Sequence, residues 1–502
     1  MPEYLLAHDI GTSGNKATLF TTDGKMVKSA THPYETNYFN DNWAEQNPED
    51  WWIAVCSSTK QLIKDVDPGN IMSISFSGQM MGCLCVDKQG LPLRDSIIYC
   101  DQRSTKQTAK LLEKISLEDG YRICGHRISP VYVLEKFMWV KEMCPDIYKK
   151  THKILNAKDY IVFKLTGKFA TDHSDASGTN AYDLANKEWS TKMLDLAGID
   201  HDKLPIIHES RFVVGEVTTS AAAETGLKSG TPVVIGAGDG SAAAVGVGCI
   251  KPGSAYTYLG SSAWLATAPE VPFKDEKMRT MTWAHAIPNL YHSTGSMQTA
   301  GTCYQWLKNE VCQLEKVESK NLGESPYDII NEKIQKSVAG SHGVVFLPYL
   351  LGERSPHWNP NAKAAFVGIK LTNKREDLMR AVLEGVTFNL NMILDIFKTS
   401  IKINEVTFIG GGAKGKIWRQ IMADIFDTSI LIPNYLEEAT SIGAAVIGGV
   451  GVGALKNFGD IERFIHVVDK VNPIKENQEV YKRSYKQFIE TYNSLVNVFE
   501  KY

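Results

Sequence analysis

Apolar residues fall in short runs cut by glycine, asparagine and aspartate. Residues 4–9 form an apolar run that ends in an acid, 11–15 carry turn chemistry, 16–20 resume the run, and Asp23-Gly24 closes a hairpin. This predicts strand, tight turn and strand. A helix is expected from Asn47, which can cap, with Pro48 suited to the first helical position and Glu49 and Asp50 to the first turn. Trp51 and Trp52 then read as core packing with a partly exposed ring, carbohydrate stacking being the alternative. Residues 71–77 alternate apolar and small polar positions, and 83–86 and 97–99 are also strand-like, with a turn at Lys88-Gln89-Gly90. Residues 102–115 have helical spacing, and the chain stays mixed and mostly helical to about residue 210. Residues 231–236 read as a short buried strand that runs into Gly-Ala-Gly-Asp-Gly and a helix of small residues.

The opening theme returns in the second half. Residues 254–259 predict a strand, Gly260-Ser261-Ser262 a turn, and 263–267 a second strand. Asp9-Ile10-Gly11-Thr12-Ser13 parallels Tyr258-Leu259-Gly260-Ser261-Ser262, which suggests a duplicated α/β domain. The boundary is expected in the glycine- and proline-containing stretch 248–253, giving domains 1–249 and 250–502.

Composition narrows the functional classes. The 502 residues are 43% hydrophobic and 22% charged, with a net charge of −3, so disorder and a nucleic-acid partner are not expected. The most apolar uncharged stretch, 439–455, is short and glycine-rich for a membrane span, and the first ten residues lack a basic leader. Nine cysteines without a CxxC pair read as reduced thiols, Cys83 and Cys85 sharing a strand face, and a cytoplasmic protein is expected.

Several segments can carry chemistry. In Asp9-Ile-Gly11-Thr12-Ser13-Gly-Asn-Lys16 the turn N–H groups can form an anion nest, the hydroxyls can donate to phosphate, and Asp9 can hold a metal directly or through water. The plainer reading is a hairpin with a capping acid. Gly260-Ser261-Ser262 repeats the logic, and the two together could clamp a polyphosphate. Gly410, Gly412 and Gly415 fit GxGxxG, but Ile417 stands where a P-loop needs Ser or Thr, and the next strand ends in Pro433-Asn434 without the acid of a dinucleotide site. A turn where backbone approaches a flat base stays open. Asp239, just past a buried strand among glycines, suits a general base or, more plainly, an N-cap. Ser77-Gly-Gln-Met80-Met81-Gly82 can line a pocket or form a core turn.

In this order, these segments resemble the FGGY carbohydrate kinases, most closely the xylulokinase-like branch. The similarity spans nearly the whole chain: DIGTSGNK, SGQMMG, PLRDSIIYCDQR, NAKDYIVFKLTG, TDHSDASGTNAYDL, GAGDGSAAAVGVG, FLPYLLGERSPHWNPNAKAAFVG, EDLMRAVLEGVTF and IGGGAKGKIWRQIMAD. The resemblance implies an α/β, actin-like (ribonuclease-H-like) ATPase fold, with ATP and sugar in a cleft between two duplicated domains. It implies that Asp239 is the catalytic base and that Asp9 positions Mg2+, both carboxylates serving the metal. It places Gly11, Thr12, Ser13 and Lys16, then Gly260, Ser261 and Ser262, at the phosphates, and Gly411 and Gly412 beside the adenosine. Met80, Met81, Asp101, Arg103, Asp239 and Gly240 fall at the sugar.

Two departures stand out. Xylulokinases usually read Gln-Met-His-Gly where Met81 replaces the histidine here, and they follow the base with asparagine where this chain has Gly240. Both remove a polar side chain, which puts the substrate, not the reaction, in question. A third, Val133 in place of Pro, Ser or Thr upstream of Lys136 and Trp139, is neutral for the chemistry. The expected activity is phosphoryl transfer from ATP to a pentulose, D-xylulose first. Ribulose, L-xylulose, glycerol and erythrulose are alternatives, as is a non-catalytic actin-like sugar sensor. A nicotinamide oxidoreductase would rest on the 410–415 glycines alone. The oligomeric state, a homodimer included, stays open.

Overall fold

A computed structural model describes residues 2–502. Two seven-stranded sheets organise it. The first half supplies β1 (Tyr4–Ile10), β2 (Gly14–Thr21) and β3 (Met26–Pro33), then helix α1 (Pro48–Ile63) and β4 (Ile71–Gly78). After α2 (Val133–Met143), α3 (Ala157–Thr166) and the single turn α4 (His173–Ser177) come β5 (Val213–Glu216), β6 (Pro232–Val234), β7 (Ala237–Gly238) and α5 (Asp239–Gly246). The sheet order is β5-β6-β4-β1-β2-β3, with β7 also paired to β4.

The second half supplies β8 (Ala255–Leu259), β9 (Ala263–Thr267), β10 (Met281–Ala284) and β11 (Tyr291–Met297). It continues with α6 (Arg375–Lys398), β12 (Glu405–Ile409), α7 (Lys416–Phe426), β13 (Ser429–Pro433), α8 (Ala439–Gly451), β14 (Val467–Val471) and α9 (Gln478–Phe499). Its order is β10-β11-β9-β8-β12-β13-β14. The duplication now extends well beyond two turns. In both sheets a meander of three antiparallel strands is followed by two parallel ones: β3-β2-β1-β4-β6 and β11-β9-β8-β12-β13 have the same strand senses in the same order.

The local signals act as expected at α1. The Asn47 side chain accepts from the Glu49 N–H, and Pro48 opens the helix. Both tryptophans are core: Trp51 donates to Gln46 at 3.0 Å and Trp52 to Glu224 at 2.8 Å, and neither ring is left partly exposed. The strand read at 97–99 shrinks to Ser96–Ile97, and the helix read at 102–115 is Thr105–Leu112, because Asp101 and Arg103 are drawn into an ion-pair cluster before it. All nine cysteines are free thiols. Among the described residues no helix is long and apolar enough to cross a membrane.

The halves are interlocked by α5 and α8. α5 follows the first sheet, yet Ala243 and Ala244 pack with Tyr256, Ala266 and Ile409 of the second. α8 follows the second sheet, yet Ile442, Ala444 and Ala445 pack with Leu5, Ala7, Phe20 and Val234 of the first. The two helices cross on glycines. A Cβ on Gly246 would sit 1.8 Å from the Ala439 carbonyl oxygen, and one on Gly443 would sit 1.9 Å from that of Ala242. Only glycine permits this approach.

Candidate active site

The carboxyl ends of three neighbouring parallel strands meet at one place, where ligands bind in open α/β sheets. In register, Asp9 of β1 lies beside Ser77 of β4, and Ser77 lies beside Ala237 of β7. Asp9 and the start of α5, Asp239, therefore flank the end of β4. Gly238 is the N-cap and makes no side-chain cap, so Asp239 is the first helical residue and not a cap. Its Oδ1 accepts the N–H of Gly240 at 2.7 Å, and the side chain is open to solvent. Crowding by protein around it, together with the charge of Asp9, raises its carboxyl to about 7, against a small opposing effect of the Gly240 N–H. Water that reaches the group moderates this effect. Asp9 is also raised, by burial, although Thr440 donates to its Oδ2 at 2.7 Å and Lys16 lies nearby.

The first hairpin, between β1 and β2, is closed by the Gly11 N–H to the Gly14 carbonyl at 3.0 Å, and Gln46 braces the Thr12 carbonyl at 2.6 Å. Thr12 is half-buried and Ser13 exposed. Lys16 pairs with Glu438 at 3.2 Å, so the hairpin of one half is tied to the start of α8. In the second hairpin, Gly260 and Ser261 carbonyls accept the N–H groups of Gly301 and Ala300 at 2.9 Å, leaving Ser261 and Ser262 exposed.

The loop after β12 explains its glycines individually. Gly410 has φ +89°, and a Cβ there would lie 2.6 Å from the Leu259 carbonyl oxygen; one on Gly412 would meet the Leu259 side chain at 2.6 Å. Gly411 meets nothing within 4 Å, so one face of this loop is open.

Just past the end of β4, Met80 is buried against Gly178 and Gly238, and Met81 adopts φ +64°. Its carbonyl is held by the buried Lys136 ammonium at 2.9 Å, which also donates to the carbonyls of Ile98 and Val131 at 2.8 and 2.6 Å. The structure does not bring Asp101 and Arg103 to the cleft as open groups. Both side chains are fully buried, the guanidinium grips the carboxylate at 2.7 Å, and it lies 3.9 Å above the Trp43 ring.

Sequence reading missed Thr440 and Glu438, which reach Asp9 and Lys16 from the other half, and the groups behind Gly240. The Tyr256 hydroxyl lies 3.3 Å from both the Gly240 carbonyl and His292 Nε2, and it accepts from the Trp264 indole at 3.1 Å. His292 Cε1 would lie 3.2 Å from a Cβ on Gly240, and its Nδ1 is buried without a partner. Burial, with His285 adding to it, lowers the imidazole to about 3, so the ring is neutral. The only available signal was Gly240 itself, a missing side chain that another element must fill.

Comparison with known proteins identifies the family. The N-terminal domain of the FGGY family of carbohydrate kinases matches residues 4–246, and its C-terminal domain matches 255–452. A gluconokinase of Bacillus subtilis is 31% identical over 502 residues, covering 99% of this chain and 97% of that protein. A xylulose kinase of Staphylococcus xylosus is 31% identical over 481 residues, covering 95% and 97%. The crystal structure of a gluconate kinase from Lactobacillus acidophilus superimposes with a TM-score of 0.93 at 26% identity, covering 100% of both chains. The chain belongs to the FGGY family of carbohydrate kinases and is a phosphotransferase with an alcohol group as acceptor.

Proposed function

We propose that the protein transfers the γ-phosphoryl group of ATP to a primary hydroxyl of a pentulose, D-xylulose first, with Asp239 as general base. The observation that carries this reading is the Asp9–Asp239 pair at adjoining strand ends, with the Asp239 carboxylate open to solvent at the first residue of α5. Asp239 takes the hydroxyl proton as the oxygen attacks the γ-phosphorus and the bond to the bridging β-phosphate oxygen breaks, releasing ADP. The open Ser13, Ser261 and Ser262 hydroxyls and the hairpin N–H groups donate to the phosphates. Lys16 joins them by leaving Glu438. The open face of Gly411 takes the base of the nucleotide.

Asp9 and Asp239 would hold magnesium: both are hard oxygen donors, and their mutual repulsion is the kind a cation relieves. Among the described residues no third acidic or imidazole ligand joins them, which fits an ion completed by water and phosphate. When bound, the ion neutralises charge on the phosphate oxygens.

A second acceptor, gluconate, is favoured by the gluconokinase and gluconate kinase relatives. The test is ADP release with magnesium and ATP across D-xylulose, L-xylulose, D-ribulose, L-ribulose, glycerol, erythrulose and gluconate. A kcat/KM for D-xylulose about 10-fold above the rest, about 1.4 kcal/mol of transition-state preference, supports the first reading. The same margin for gluconate replaces it with the second. Sugar binding without turnover on any acceptor would indicate a sensor.

A further inference from the structure

Behind the strand ends lies a cluster of charge with no access to solvent. Lys158 Nζ is 2.7 Å from Asp159 Oδ1, 2.9 Å from Asp172 Oδ1 and 3.0 Å from Asp175 Oδ2, and all four side chains are buried. Burial opposes ionisation of Asp172, but Lys158 and the hydroxyls of Ser174 and Ser210 overcome it and hold this carboxyl below its ordinary value. Burial drives Asp175 well above the carboxylate range. Asp172 is therefore a fixed anion, and both serines bond the same oxygen of it: Ser174 Oγ to Oδ2 at 2.5 Å and Ser210 Oγ to Oδ2 at 2.7 Å.

The two serines differ in what else they touch. Ser174 Oγ also accepts the backbone N–H of Gly238 at 2.9 Å. Gly238 immediately precedes Asp239, and on its other side a Cβ would run into Met80 at 2.7 Å. From the same turn, Ser177 Oγ accepts the N–H of Ala284 in the second sheet at 2.9 Å. The α4 turn thus joins a buried anion, the peptide before the candidate base, and the other half of the molecule.

We propose that Ser174 is a positioning residue for Asp239, holding the Gly238 peptide, and so the origin of α5, against the fixed Asp172 anion. A hydroxyl that donates to a carboxylate is a better acceptor for the Gly238 N–H, because hydrogen bonds in a chain polarise one another. Small misplacement of a general base costs rate more than binding. This inference rests on Asp239 being the base.

The test compares Ser174→Ala with Ser210→Ala. Each removes one hydroxyl from Asp172 Oδ2, but only the first releases Gly238. Ser174→Ala is expected to lower kcat about 10-fold or more, with KM for ATP and sugar within twofold. Ser210→Ala is expected to keep kcat within twofold at a similar loss of thermal midpoint. Ser174→Thr, which keeps the hydroxyl, is expected to recover most of kcat. The proposal is overturned if Ser174→Ala keeps its kcat, if Ser210→Ala loses as much, if the loss falls on KM, or if Ser174→Ala fails to fold where Ser210→Ala folds. Asp239→Asn is assayed alongside. Turnover of that variant within about 10-fold of wild type overturns the base assignment and this proposal together, whereas an Asp239→Asn slowed by about 10² or more with a fully active Ser174→Ala overturns this proposal alone.

Discussion

Asp239 combines two demands that conflict. It must lose its proton to act as a base, yet its crowded place and the charge of Asp9 favour keeping it. Replacing it with asparagine is expected to reduce turnover by about 10² to 10⁴ while ATP and sugar still bind, the range general bases contribute, measured by steady-state rates and by calorimetric titration. The same substitution should change stability with a definite sign. Between the ordinary aspartate value and about 7 the folded chain holds a proton that the unfolded chain has released, so the wild type loses stability as pH rises through that window. In EDTA, Asp239→Asn should therefore melt higher than wild type at pH 8 and nearly level with it at pH 4. An equal difference at both values would show that the ionisation of Asp239 is not what the fold resists. The place of Asp239 was legible from an apolar run followed by glycines. Its environment was not, since Asp9, Thr440 and His292 reach it or its neighbours from distant parts of the chain.

At the scale of elements, strands announced themselves more clearly than their boundaries. β1, β2 and the turn between them could be read from apolar runs and glycine-hydroxyl chemistry, while the 97–99 strand and the 102–115 helix were over-read. There a buried ion pair, Asp101 with Arg103, outweighs local spacing. The 410–415 glycines fit a dinucleotide pattern, yet two of them are required by Leu259 and the left-handed backbone of Gly410. The crossing of α5 and α8 left only small-residue runs in the sequence, because glycine at a contact is visible only once the partner helix is placed. Gly443→Ala must part these helices and is expected to cost about 1–3 kcal/mol in urea unfolding, the usual penalty for overpacking. Gly411→Ala, which meets nothing within 4 Å, should stay within about 0.5 kcal/mol of wild type. Equal costs would contradict the close crossing.

For the whole molecule, the repeat written in two short hairpins becomes two sheets with five strands in matching order, joined by exchanged helices. That exchange ties the first hairpin to the opposite half: Thr440 bonds Asp9, and Glu438 pairs with Lys16. If Lys16 leaves Glu438 for the nucleotide, Glu438→Gln should lower KM for ATP by up to about 5-fold, since a pair this near the surface is worth about 0.2–1 kcal/mol. A raised KM would mean that the pair shapes the site instead of competing with it. Family and reaction class were legible across the full length because many motifs recur in one order. The acceptor was not, since a gluconokinase and a xylulose kinase match the chain at the same 31% identity. The most direct measurement is acceptor-dependent ADP release by wild type and Asp239→Asn, side by side, with magnesium, ATP and each sugar in turn. The account predicts release by the wild type with D-xylulose or gluconate, and release at least about 10²-fold slower in a variant that still binds ATP. Undiminished release by Asp239→Asn, or no acceptor-dependent release by the wild type, would contradict it.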